Sequence, residues 1–79
     1  NIIAVNSTMK YILIIWVCSF LNNNTCMAPM EYPIAYDSWY ECSRAAHQES
    51  IKIMNKMGYK DVNDYQLAMK YNCKPVRTY

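Results

Sequence analysis

Tyr11-Ile12-Leu13-Ile14-Ile15-Trp16-Val17-Cys18-Ser19-Phe20-Leu21 is the stretch on which any reading of this chain turns, because it is almost wholly apolar and carries no charge. Met9 and Lys10 precede it, and the polar Asn22-Asn23-Asn24-Thr25 follows. A positive start, an apolar middle of about 7 to 15 residues and a polar end make up the order of a secretory signal. Residues 9–28 are therefore expected to form a signal-like apolar helix, with residues 1–8 as an upstream segment and residues 29–79 as a small mature domain. Cys26 and Ala28 supply the small residues a cleavage site needs, although Pro29 follows them directly. Crossing a bilayer takes about 20 apolar residues, so a membrane anchor through residues 11–21 is the alternative and a buried cytosolic helix the third.

Outside that stretch the chain changes character. Residues 1–30 contain one charged side chain, Lys10, and every other charge lies in residues 31–79. The 79 residues leave room for one small domain, since domains commonly run to about 100 to 150 residues, and this excludes two-domain and large catalytic folds. A content of 53% hydrophobic and 18% charged residues excludes a disordered tail. The net charge of +2 falls short of the concentrated basic stripe that nucleic-acid binding usually shows.

Residues 38–57 read as one long amphipathic helix. Trp39, Cys42, Ala46, Ile53 and Met57 recur at helical spacing, flanked by Tyr40, His47, Ile51 and Met54, while Glu41, Arg44, Gln48, Glu49, Lys52, Asn55 and Lys56 lie opposite. Ser38 with Glu41 three residues on makes a capping box, and Gly58 marks the end. Residues 65–73 alternate strictly in polarity, as a half-buried strand does, yet Gln66-Leu67-Ala68-Met69-Lys70 are good helix formers. An extended segment from about Leu67 to Val76 is favoured over a second helix. Tyr32, Ile34 and Tyr36 also alternate, with Pro33 confining that piece to a sheet edge. The expected fold is a small α-dominated miniprotein, all-α or α+β: an N-terminal apolar helix, the long amphipathic helix, and a short C-terminal extended or helical segment.

Removal of a leader would leave Cys42 and Cys73 as the pair certain to stay, and one disulfide between them is expected in an exported chain. The four cysteines allow three pairings, and spacing does not choose among them. His47 is the only histidine, and it lies about 140° around the helix from Cys42, too far for a nucleophile dyad. Cys26, Met27 and Met30, with Met54 and Met57, are soft ligands that suit Cu(I), but Met at that spacing is more often core filler. Residues 50–79 carry six basic side chains against two acidic ones, interleaved with tyrosines, a mixture that could hold phosphates. Neither catalytic residues nor a metal or cofactor are assigned. Trp39, Tyr40, Tyr59 and Tyr71 are the candidate contact residues for a partner.

Tyr36-Asp37-Ser38-Trp39-Tyr40-Glu41-Cys42-Ser43-Arg44-Ala45-Ala46-His47, with Met57-Gly58-Tyr59 and Lys70-Tyr71-Asn72-Cys73, resembles short signal-bearing open reading frames common in marine phage and bacteria. That group has no assigned activity, so the resemblance implies an exported small protein and carries over no site. The expected role is that of an exported, disulfide-stapled protein that binds another protein or an envelope surface. A membrane-anchored protein partnering with a membrane complex is the alternative, and a basic phosphate or nucleic-acid binder the third.

Overall fold

The apolar run is a strand. The computed structural model describes residues 9–21 and 23–77, and in it Met9–Ser19 forms β1, followed by β2 (Thr25–Cys26), β3 (Met30–Tyr36), α1 (Trp39–Met57), α2 (Tyr59–Asp64) and β4 (Leu67–Arg77). Strands hold 46% of the described residues and helices 37%, which overturns the expectation of an α-dominated fold with an N-terminal apolar helix. The local cause lies in the residue types, since Tyr, Ile, Trp and Val are the β-branched and aromatic side chains that pack well on a pleated surface. The decisive cause is distant in sequence: β4 pairs with β1 at every position from Met9↔Arg77 to Ser19↔Leu67.

β1 is the central strand of an antiparallel sheet. β4 takes one edge, while β2 and β3 share the other, through Cys18↔Cys26 and Ser19↔Thr25 and then Ile15↔Met30 to Tyr11↔Tyr36. Between Ile12 and Ile14 the register shifts, because β3 passes from Ala35 to Glu31 over the same interval. Pro33 lies in that bulge on an edge strand, where its missing N–H costs no ladder bond. Asn23 and Asn24, at φ 59° and 57°, turn the chain from β1 into β2, a conformation asparagine tolerates better than most residues. β3 and β4 both run against β1 and so parallel to each other, joined by a crossover through α1.

Period two sorts β1 into two faces. Leu13, Ile15 and Val17 are buried beneath α1, with Cys42, Ala46 and Cys73 closing the same core and Tyr11, Tyr32, Tyr36, Ala45, Ile53, Met69 and Tyr71 packed around it. Ile12, Ile14 and Trp16 occupy the other face, half-buried, where Lys70 places its ammonium 4.6 Å from the Trp16 ring centroid. An apolar row on both faces is what makes the run look uninterrupted in sequence.

α1 begins where Ser38 Oγ accepts a hydrogen bond from the Glu41 N–H at 3.1 Å. It ends where Gly58, at φ 93° and ψ 160°, donates its N–H to the Met54 carbonyl at 2.9 Å. That backbone region is essentially reserved for glycine. The six-residue α2 follows, and Gln66, at φ 50°, turns the chain into β4, so residues 67–77 are extended.

Two disulfides are present instead of one: Cys42–Cys73 ties α1 to β4, and Cys18–Cys26 ties β1 to β2. The central strand β1 lies within residues 9–28 and pairs with β3 and β4, which lie within residues 29–79. Residues 1–8, read above as an upstream segment, lie outside the described residues.

Candidate binding surface

Cys42 and Cys73, bonded with Cα atoms 6.1 Å apart, are both wholly buried. Cys42 sits one turn into α1 and Cys73 lies opposite Leu13 in the sheet, so the bridge crosses the helix–sheet interface. The four candidate contact residues do not share one surface. Trp39 and Tyr40 are exposed at the start of α1, Trp39 standing edge-on to Tyr11 with ring centroids 6.1 Å apart. Tyr59 is exposed beyond the other end of the helix, whose nineteen residues rise about 28 Å at 1.5 Å each. Tyr71 is half-buried against the core, its hydroxyl 2.6 Å from Ser43 Oγ and its ring edge-on to His47.

His47 donates from Nδ1 to the Ser43 carbonyl at 2.8 Å. With Cys42 in a disulfide, that helix face presents no thiol for the imidazole to activate. Among the soft ligands, Cys26 is likewise committed to sulfur, and Met54 lies apart from the others beside Gly58 and Tyr59. Among the described residues there is no group of three or more His, Cys, Asp and Glu side chains placed to hold a metal.

What the structure does bring together is a cleft of about 520 Å³ between the second half of α1 and the β2–β3 edge. Val17, Met27, Ala28, Met30 and Tyr32 form one wall, and Glu49, Lys52, Ile53, Lys56 and Met57 the other. In a regular strand Met27 and Met30 would face opposite ways, being three residues apart. The break in the strand at residues 27–29 lets both line the same cleft. On α1, Glu49, Lys52, Ile53 and Lys56 follow i, i+3, i+4 and i+7 spacing, so they form one stripe along the seam between apolar and polar sides.

Electrostatics in the cleft are uneven. Lys52 Nζ lies 3.2 Å from Glu49 Oε2, whereas Lys56 has no carboxylate within 4.0 Å among the described residues. Burial pushes the Tyr32 hydroxyl above the ordinary phenol pKa, the Glu49 carboxylate adds to the rise, and Lys52 opposes it. Tyr32 therefore stays an O–H donor at neutral pH. Sequence reasoning placed Glu49, Lys52 and Lys56 on the solvent side and did not find this site. Its sequence signals were Met27, Met30 and Met57, weighed above only as soft ligands or core filler, and the alternation of Tyr32 with Ile34 and Tyr36, which marks the strand that forms the far wall.

A further exposed row runs along α1, where Tyr40, Ile51 and Met54 are 70%, 58% and 38% exposed and His47 lies between them. No family model matches the chain, and no curated protein or solved structure matches it.

Proposed function

We propose that this chain is a disulfide-stapled module that works in an oxidising compartment outside the cytoplasm and acts by binding, without catalysis. The observation that carries the reading is the use of all four cysteines in two disulfides. Among the described residues three of the seven that are buried, Cys18, Cys42 and Cys73, are halves of those bridges, leaving Leu13, Ile15, Val17 and Ala46 as the other buried ones. A core that small does not hold a domain together comfortably, and covalent staples are the usual remedy. Bridges of this kind persist in oxidising compartments and are rare in the cytosol. Another protein or an envelope surface is the partner that the exposed Tyr40–Ile51–Met54 row and the apolar cleft suit.

Support for the membrane-anchored alternative is weaker in this fold. No described helix is long and apolar enough to cross a membrane, and Leu13, Ile15 and Val17 are occupied as core. The phosphate-binding alternative draws on one observation, the Lys70 ammonium over Trp16 with Lys74 further along the same face of β4.

The test is the intact mass of the full chain from an oxidising host. Two bridges give a mass four hydrogens below that of the reduced chain and no reaction with a thiol reagent. A folded product with four free thiols from that host would overturn the reading.

A further inference from the structure

We propose that the cleft between α1 and the β2–β3 edge binds a long-chain fatty carboxylate, with its alkyl chain against Val17, Met30, Ile53 and Met57 and its head at Lys52 and Lys56. This deepens the binding reading above by naming a ligand class for that cleft, and it rests on that reading only for the compartment in which the ligand is met.

Size and lining come first. At about 520 Å³ the cleft falls in the range of about 300 to 1,000 Å³ typical of small-molecule sites, which are mostly apolar with a few placed polar groups. Three of its lining residues, Met27, Met30 and Met57, are unbranched and polarizable, so the walls adapt to a flexible chain better than β-branched residues would.

Charge then selects the head. Lys52 and Lys56 against Glu49 leave one net positive charge in the cleft, which matches a monoanion and would leave one charge of a dianionic phosphate uncompensated. Lys56 has no acidic partner among the described residues, and the neutral Tyr32 hydroxyl offers a donor on the opposite wall. The carbonyl end of α1 disfavours an anion, and for that reason the head is assigned to Lys52, more than a turn inside the helix, together with Lys56 at its end. Lysine stems lie readily along apolar walls while the ammonium meets solvent, so closing on a carboxylate needs no buried bare charge.

The experiment uses the full oxidised chain, titrated calorimetrically with dodecanoate below its micellar concentration. One molecule is expected to bind per chain, with up to about fourfold weaker affinity for each methylene removed from the series down to octanoate. Dodecanol and dodecyltrimethylammonium should bind at least tenfold more weakly. The double variant Lys52→Gln, Lys56→Gln should lose that tenfold preference while leaving dodecanol binding unchanged, and Glu49→Gln should tighten dodecanoate severalfold. Lys52 and Lys56 are exposed and Glu49→Gln is nearly isosteric, and amide spectra of the variants verify that the fold is kept. Equal binding of the three head groups, no dependence on chain length, or spectral changes centred on Trp16 instead of Tyr32 and Met57 would each overturn the proposal. Absence of dodecanoate binding by a chain whose mass shows both bridges would sink this inference and leave the stapled-module reading standing.

Discussion

The two ends of the helix–sheet interface are built differently. Near the start of α1, Cys42–Cys73 is enclosed by Leu13, Ile15 and Ala46, and every one of those residues is wholly buried. Toward the other end, Cys18–Cys26 lies on the face of β1 turned away from α1 and has an exposed half, Phe20, Leu21 and Met27 are solvated, and α1 stands off the β2–β3 edge far enough to leave the cleft. The first bridge staples elements far apart in sequence, and the second closes a hairpin whose strands already pair. The enclosed bridge thus lies at one end and the cleft proposed above as a binding site at the other, the division expected when a recognition site is carried on a rigid support.

Removing the bridges one at a time tests that division most strongly. Cys42→Ala with Cys73→Ala opens a loop of sequence separation 31, which the chain-entropy relation values at about 3.5 to 4 kcal/mol, before any cavity cost. Cys18→Ala with Cys26→Ala opens one of separation 8, worth about 2.5 kcal/mol. Urea unfolding of the two double variants should show that ordering. Under a mild reductant, alkylation and mass analysis should find Cys18 and Cys26 labelled first, because Cys26 is exposed and both halves of the other bridge are enclosed. A chain that loses Cys42–Cys73 first, or suffers more from losing Cys18–Cys26, would reverse the comparison.

Legibility in the sequence follows the same divide between local and distant causes. α1 was readable because its signals are local: Ser38 caps it, Gly58 ends it, and Cys42 and Ala46 fall on the spacing that becomes its buried face. The extended character of residues 67–77 was readable from strict alternation. β1 was misread as a helix because an apolar run with both faces occupied has no period, and the partner that makes it a strand lies more than fifty residues away in the pairing Ile14↔Asn72. The Cys18–Cys26 bridge was not assigned for a related reason, since a leader helix gives Cys18 no strand partner and spacing leaves three pairings open. The cleft was illegible for a further reason: it depends on a break at residues 27–29 that turns Met27 and Met30 the same way, and spacing alone assigns them to opposite faces.

A smaller effect is expected at the hinge between α1 and α2. Gly58 is the only glycine, and a Cβ built on it meets nothing within 4 Å, so Gly58→Ala acts purely through the backbone at φ 93°. The cost of that conformation to alanine is about 1 to 3 kcal/mol, read as a lowered unfolding midpoint. Because the hinge belongs to the open end, the Cys42–Cys73 clasp should keep its resistance to reduction in this variant. Loss of that resistance would mean that the two ends melt together.

The smallest effect is a pH dependence seated in the cleft wall. The Tyr32 hydroxyl has its pKa raised above 10.0 in the folded chain, chiefly by burial and then by the charge of Glu49, against the opposing charge of Lys52. A raised folded value means that the folded state holds its proton more tightly than the unfolded state does. The corresponding stability is fully present below the unfolded phenol value of about 10, and it is lost as pH rises through the higher folded value. Comparing the chain with Tyr32→Phe removes the contributions of the lysines and other tyrosines that titrate in the same range. The difference in thermal midpoint between the two should be flat from pH 7 to about 9 and shift against the unmodified chain above about pH 10. Glu49→Gln should shrink that shift without abolishing it, because burial is the larger cause. An alkaline shift that disappears entirely with Glu49→Gln would instead make charge repulsion the whole effect, leaving the partial burial of Tyr32 in the cleft without consequence for its proton.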